Sequence, residues 1–244
     1  MLFFTSLIKA ITVFRYLSLS KINPNAKGKS EPRALNKTRI VLASGSPRRL
    51  ELLKNLGLSF EVIPSNLDET IPPGISPEEL VEMLAIQKAE DVLTSLDPHE
   101  DLVIIGADTM VVLDGELIGK PMDVEDAKAM LGRLSERTHV VFTGVAVLEK
   151  RRNAELKRFQ HVEKSFVTFR KLEEPEIEAY LATKEPMDKA GAYALQGVGA
   201  ALVEKIEGCY TNIIGLPIPK TVSILRQAGV NILGLPACQD GHLK

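Results

Sequence analysis

The sequence predicts a mixed α/β domain of about 200 residues. Three observations carry this. From Arg39 onward, short apolar runs fit for strands alternate with amphipathic stretches of helical period. The 17 glycines and 14 prolines fall mostly where those runs end, as in a chain with many sharp turns. Hydrophobic residues make up 45% and charged residues 25% of the 244, enough apolar material for a full-sized core.

Before Arg39 the chain reads differently. Residues 1–37 contain Lys9, Arg15 and Lys21, several serines and no acid before Glu31. That composition suits a transit peptide; the alternative is a disordered or loosely helical extension. Lys9 and Arg15 interrupt its apolar residues, so it falls short of the ~20 that a membrane span needs. The expected organisation is an extension over 1–37, a domain over 38–235 and a tail over 236–244.

Within the domain, "RIVLAS" is a buried strand. Ser46 then caps a helix with Pro47 at its first position; Leu50, Leu53 and Leu56 form its apolar stripe, and Gly57 closes it. "SFEVIPS" is a second strand. "SPEELVEMLAIQKAEDVLTSL" is the clearest helix, with Ser76 and Glu79 as a capping box and Leu80, Leu84 and Val92 inward. "DLVIIGADTMVVLDGELIGKP" reads as a strand, a polar interruption and a hairpin turned at Asp114-Gly115. Asp123 caps a helix carrying Met130, Leu131 and Leu134 inward. Strands "THVVFTGVAVLEK" and "HVEKSFVTFRKL" are joined by the charged "RRNAELKRFQ". With no aromatic platform beside it, this stretch reads as a solvated hairpin loop and not a nucleic-acid patch. "EEPEIEAYLATKE" is a helix, "AYALQGVGAALVEKIEGCY" a glycine-punctuated pair of strands, and "PIPKTVSILRQAG" a terminal helix.

A net charge of -2 exerts no general pull on nucleic acid, so any anion site must be a local concentration of charge. Cys209 and Cys238 form neither a zinc-type pair nor a disulfide framework, which suits a reduced intracellular setting. His139 and His161 sit in alternating strands and read as structural.

The chemistry concentrates in four places. Arg48 and Arg49 stand in the first turn of a helix, where the dipole disfavours cations. A bound anion resolves that mismatch. Exposed N–H groups at the helix start, hydroxyls of Ser44 and Ser46 and two guanidinium groups would grip phosphate. The alternative is a solvated helix face with the arginines paired to Glu51 or another acid. No Walker-type loop is present in this segment. Next, Asp108 ends a hydrophobic run, and a two-residue turn at Asp114-Gly115 sets Thr109 opposite Lys120. The hairpin thus brings an acid and a lysine to one end of the sheet, unless a bulge shifts the register. Asp68 and Glu69 are an acidic pair that could hold a hard cation such as magnesium, or simply be solvated. Lys189 lies beside a glycine-rich approach to Gln196, whose amide could read a base edge or satisfy backbone groups.

Taken together, "LASGSPRRLELL", "LDET", "GADTMVVLDGELIGKP", "RTHVVFTGVAV", "YLATKEPMDKAGAYALQG" and "NIIGLPI" resemble the Maf family from about Ile40 to about Gly229. The resemblance implies an elongated mixed β-sheet flanked by helices in two lobes with a central cleft, similar to the inosine triphosphate pyrophosphatases. It implies cleavage of a nucleoside triphosphate between the α- and β-phosphates with a divalent cation, magnesium or alternatively manganese. Asp108 matches the acid that accepts a proton from water, and Glu69 an acid near the triphosphate, bound with Asp108 to metal. Ser44, Arg49 and Lys120 match the triphosphate lining. Arg48, Thr109 and Gln196 match positions that distinguish subfamilies, and this set looks like the dTTP- and UTP-directed branch. A sister branch preferring 7-methyl-GTP has Gln after the aspartate and Glu near position 196. A nucleotide-binding regulator of cell division with little catalysis is the rival reading. Departures from the pattern, Glu136, Met187 and Lys189, remove no charged group. A homodimer in the cytoplasm is expected, or an organelle such as the mitochondrion if residues 1–37 are an address. Neither nucleic acid nor membrane is an expected partner.

Overall fold

A computed structural model describes residues 38–232, so the expected extension over 1–37 and the tail over 236–244 lie outside the described residues. Seven strands form one sheet in the order β2-β1-β3-β5-β6-β7, with β4 on β3. In chain order these are β1 (Arg39–Leu42), β2 (Glu61–Val62), β3 (Leu102–Leu113), β4 (Glu116–Ile118), β5 (Thr138–Lys150), β6 (Lys157–Phe169) and β7 (Val203–Glu207). β1 runs parallel to β2 and β3, and every other pairing is antiparallel, so the sheet is mixed. The helices are α1 (Pro47–Lys54), α2 (Pro77–Thr94), α3 (Val124–Leu134), α4 (Glu174–Ala182), α5 (Tyr210–Ile214) and α6 (Ile218–Gln227).

Side-chain alternation along β3 explains how helices distribute over the sheet. On one face Val103, Ile105 and Ala107 pack with Leu53 of α1 and Ile224 and Leu225 of α6. Further along that face, Val111 and Leu113 pack with Leu131 and Leu134 of α3 and Ile177 and Leu181 of α4. Between these two apolar clusters stand Thr109 and its cross-strand neighbour Thr143, a polar seam. On the opposite face α2 crosses the sheet, and Ala89 and Val92 meet Leu102 and Ile104. The crossing depends on two glycines. A Cβ at Gly106 would lie 2.1 Å from the Ala85 carbonyl, and one at Gly144 would lie 2.2 Å from the Val81 carbonyl.

Local signals behave as expected at several points. Ser76 and Glu79 form the capping box of α2, and Asp123 caps α3 by accepting from the Asp126 N–H. Asp114 and Gly115 have φ of 52 and 83, the two positive values that a tight two-residue hairpin requires.

Other expectations are corrected. β3 runs unbroken through "GADT", because β5 pairs with it from Leu102 to Val112 and satisfies its backbone. "KRFQ" belongs to β6: Lys157 pairs with Glu149 and Gln160 with Ala146, so the loop shrinks to residues 151–156. Only Glu61 and Val62 of "SFEVIPS" are strand. Leu50 is 38% exposed, since α1 meets the core through Leu53 in its second turn. The expected pair of strands after Ala192 contains one, β7; before it, Ala190–Ala192 and Val198–Leu202 form two short 3-10 turns. Gly191 at φ 75 and Gly197 at φ 101 lie outside the extended region, which breaks a strand there. The five-residue α5 was not anticipated either.

Candidate active site

On the edge away from β5, β3 is unpaired for part of its length. Its pairing with β1 ends at Ile105, and its pairing with β4 begins at Val111. A cavity of about 710 Å³ occupies this gap and is lined from both faces of the strand. Ser44, Ser46, Arg48, Arg49, Glu69, Asp108, Thr109, Lys120, Lys189 and Gln196 line it, whereas Asp68, the other member of the acidic pair, does not. Arg49 and Lys120, far apart in the chain, therefore reach one space. Of the solvated alternative for the arginines, no pairing with Glu51 forms, but Arg48 does face another acid, Asp188.

Asp108 is 7% exposed, on the α2 face of β3. Its Oδ1 accepts from Lys88 Nζ at 2.6 Å, and the same ammonium lies 2.7 Å from Glu69 Oε1. Burial pushes the Asp108 carboxyl above the ordinary aspartate range, while Lys88 and then Arg49 pull against that rise. Glu69 comes from the loop before α2. Its approach is tied down by Asp91, which accepts from Ser65 Oγ at 2.7 Å and from the Asn66 N–H at 3.0 Å.

Arg49 is more committed than the sequence suggested. Its Nε donates to the Gly215 carbonyl at 2.9 Å, one terminal nitrogen to Ser44 Oγ at 3.1 Å, and the other to Thr109 Oγ1 at 3.0 Å. Each guanidinium nitrogen thus has a protein partner, and the group ties the start of α1 to β3 and to the α5–α6 turn. Burial lowers its proton affinity and Asp108 opposes that, but a guanidinium keeps its charge. Its contribution to an anion is therefore a fixed positive field and a rigid frame for Ser44, not a free fork. Arg48 is the more available of the two. Its nearest acid is Asp188, at 3.7 Å across the cavity.

Thr109 Oγ1 also bonds Thr143 Oγ1 at 3.0 Å, and Thr143 donates to the Asn212 carbonyl at 3.0 Å. Lys120 follows β4 and is exposed, its neighbour Gly119 held by the Gly191 N–H at 3.0 Å. Lys189 donates to Asp188 and to the Glu185 carbonyl. Five cationic side chains and three carboxylates line the cavity, an excess of two positive charges in a protein whose net charge is negative. Val111, Val141, Tyr193, Leu195 and Ile213 add apolar surface to the same lining, and Gln196 adds a polar amide. The cationic groups suit a polyanion and the apolar ones a flat ring.

Lys88 was missed in the sequence, although a signal existed. Leu80, Leu84, Lys88 and Val92 are spaced by four on α2, so the lysine stands in the buried stripe. A cation at an inward position needs a buried partner, and Asp108 is that partner.

His139 is structural. Its Nε2 bonds Tyr193 Oη at 2.9 Å, and it packs edge-on against Phe169 and Tyr193. His161 lies 3.1 Å from Glu163, away from the cavity lining.

Fold and site define a class: a mixed α/β protein with a cleft of excess positive charge built around a buried carboxylate–lysine pair. Residues 39–228 match the model of the family described as Maf-like protein. This chain belongs to that family. It is 50% identical over 195 residues to the dTTP/UTP pyrophosphatase of Pelotomaculum thermopropionicum, a match covering 80% of this chain and 98% of the relative. It is 48% identical over 198 residues to the dTTP/UTP pyrophosphatase of Dictyoglomus thermophilum, covering 81% and 100% respectively. Among solved structures, the Ham1 protein of Staphylococcus aureus matches at 20% identity and TM-score 0.36, covering 54% of this chain and 72% of that one.

Proposed function

We propose that this protein hydrolyses dTTP and UTP between the α- and β-phosphates, releasing the nucleoside monophosphate and pyrophosphate. It would thereby limit the pool of unwanted nucleotides. The observation carrying this reading is the buried, lysine-paired Asp108 at the unpaired edge of β3, in a cavity that cationic and apolar side chains line together. The relatives' names point the same way.

In this reading the triphosphate lies along Arg48, Lys120 and Lys189 and the first turn of α1, with Arg49 holding Ser44 in place. Phosphoryl chemistry rests on positioning and charge neutralisation, which these groups supply. Asp108 accepts the proton of the attacking water; a carboxyl raised by burial is a better base than an exposed one. Lys88 keeps that carboxylate ionised and oriented.

The residues present also fit a divalent cation. Asp108 and Glu69 each place an oxygen within 2.7 Å of one ammonium nitrogen, so two carboxylates already surround a cation position. Among the described residues no group of three or more His, Cys, Asp or Glu could hold a metal. The protein therefore brings two carboxylates, and the nucleotide phosphates would complete the shell, as magnesium prefers. The metal, when bound, withdraws charge from the phosphates.

Base choice follows from Gln196. A carboxamide offers one donor and one acceptor, matching the acceptor and N–H donor on the edge of uracil or thymine. A carboxylate could not donate to that edge.

The test is a nucleotide panel with magnesium, assaying pyrophosphate and orthophosphate separately. Pyrophosphate from dTTP and UTP ahead of GTP supports the reading. Preference for 7-methyl-GTP, orthophosphate instead of pyrophosphate, or no release at all overturns it. Asp108→Asn is expected to lower kcat by ~10²–10⁴-fold with little change in KM. A wild-type rate from that variant removes Asp108 from the role.

A homodimer, and a folded unit spanning 38–235, belong to the same proposal; light scattering of the full chain and of a 38–235 fragment tests both. No helix among the described residues is long and apolar enough to cross a membrane. We place the protein in the cytoplasm, with an organelle as the alternative. Imaging fluorescent fusions with and without residues 1–37 decides between them.

A further inference from the structure

We propose that Glu185, with Tyr180 behind it, is the positioning residue that sets the base-reading segment of the cleft. The inference rests on the pyrimidine reading above, and neither residue lines the cavity.

The carboxylate of Glu185 holds three donors. Oε1 accepts from the Gly199 N–H and from the Tyr180 hydroxyl, each at 3.0 Å, and Oε2 accepts from the Val198 N–H at 3.0 Å. The Tyr180 hydroxyl in turn accepts from the Ala194 N–H at 3.1 Å. Both ends of a short segment, Ala194 on one side and Val198-Gly199 on the other, are therefore joined through one phenol and one carboxylate. Gln196 sits at the middle of that segment and lines the cavity.

The fit leaves no slack. A Cβ on Gly197 would lie 2.6 Å from Glu185 Oε2, and Gly197 already has φ of 101. A Cβ on Gly199 would lie 2.6 Å from the Tyr180 hydroxyl. Tyr180 is 2% exposed, anchored in α4 among the residues that pack on α3. Burial pushes its phenol well above the usual tyrosine range, so it remains a donor to Glu185. The same residue acts at a second point: the Glu185 carbonyl accepts from Lys189 Nζ.

Gln196 can match a pyrimidine edge only if its amide is held in the plane of the ring. Held by its own backbone in a loop with two glycines as neighbours or near-neighbours, it would sample many orientations. The clamp removes that freedom without touching substrate. Loss of one charge-assisted bond in it should cost base recognition about tenfold. The phosphate groups should be unaffected, because Lys189 is held by the Glu185 backbone carbonyl, which a side-chain substitution leaves in place.

The test compares Glu185→Gln and Tyr180→Phe with the wild-type enzyme, measuring KM and kcat for dTTP, UTP and GTP and the inhibition constant of the product pyrophosphate. Glutamine presents an NH₂ to one of the backbone donors and so breaks one bond while keeping the shape. The expected result is a KM for dTTP and UTP raised about tenfold, kcat within about threefold, and a reduced preference for UTP over GTP. The pyrophosphate inhibition constant should not move. Tyr180→Phe should give the same pattern at about threefold and serves if Glu185→Gln folds poorly. A parallel rise in the pyrophosphate constant would mean general damage and overturn the proposal, as would unchanged KM and base preference. A wild-type enzyme that releases no pyrophosphate at all would instead overturn the underlying functional reading, and the two failures are thereby told apart.

Discussion

Replacing Lys88 by methionine gives the sharpest test of the site's electrostatics. The ammonium is 2.6 Å from Asp108 Oδ1, with side-chain exposures of 14% and 9%. At an effective dielectric of ~20, two unit charges that close attract by ~6 kcal/mol, and desolvation takes back several. The pair as a whole is thus worth little, but removing one partner strands the other. Lys88→Met should leave a buried carboxylate uncompensated and cost ~3 kcal/mol in urea unfolding. Glu69 loses its partner too, but its side chain is 49% exposed and water replaces the lysine. Adding Asp108→Asn should then restore most of the loss, since a neutral amide needs no counter-charge. The double-mutant cycle should show a coupling of ~2 kcal/mol. Pyrophosphate release should fall steeply in both variants. If the two substitutions are additive within ~0.5 kcal/mol, Lys88 and Asp108 do not form the pair described, and the account of how the carboxylate stays ionised is wrong.

Burial lowers the His139 imidazole to about 4 from 6.5. The folded-state value lies below the unfolded one, so the stability it confers is present above pH 6.5 and lost as pH falls toward 4, by about 3 kcal/mol in all. His139→Gln should flatten that part of a urea-unfolding profile between pH 8 and 4, and identical slopes in the two proteins would refute it. Gly144→Ala places a methyl group 2.2 Å from the Val81 carbonyl and should cost ~3 kcal/mol, a fall in Tm of roughly 10 °C. An unchanged Tm would mean that α2 does not cross the sheet that closely.

What the sequence reveals is what is decided locally. The capping box at Ser76 and Glu79, the cap at Asp123 and the Asp114-Gly115 turn are each written within four residues, and each is found. The alternation of strand and helix follows from apolar period and survives into the fold. Failures occur where a distant partner decides. The stretch from Tyr193 to Leu202 is apolar enough for a strand, but Tyr180 and Glu185 take the N–H groups that a sheet neighbour would have needed. "KRFQ" looks like a solvated loop until Glu149 is set across from Lys157. Arg49 reads as a phosphate ligand, yet Gly215, which lies 166 positions away, takes one of its donors. Lys88 was legible in principle, as the charge that interrupts an otherwise apolar stripe.

The gap in the sheet and the chemistry have one origin. β1 turns away after Leu42 into the Ser-Gly-Ser lead of α1, and β4 is only three residues long, so neither covers β3 between Gly106 and Met110. Alternation along that bare stretch sends Asp108 to the face of α2 and Thr109 to the face of α1 and α5. The carboxylate therefore meets the lysine of one helix, while the hydroxyl meets the arginine of another. A single strand thus holds both halves of the site in fixed register. Asn212 secures the second half: its amide donates to the Val141 carbonyl and Ser165 Oγ, at 3.0 and 2.9 Å, which anchors α5 to β5 and β6. From there Gly215 presents its carbonyl to Arg49. Any ligand entering between Arg48 and Lys120 meets groups fixed by the sheet itself, and its reorganisation cost falls mainly on the half-buried side chain of Arg48 and the exposed one of Lys120.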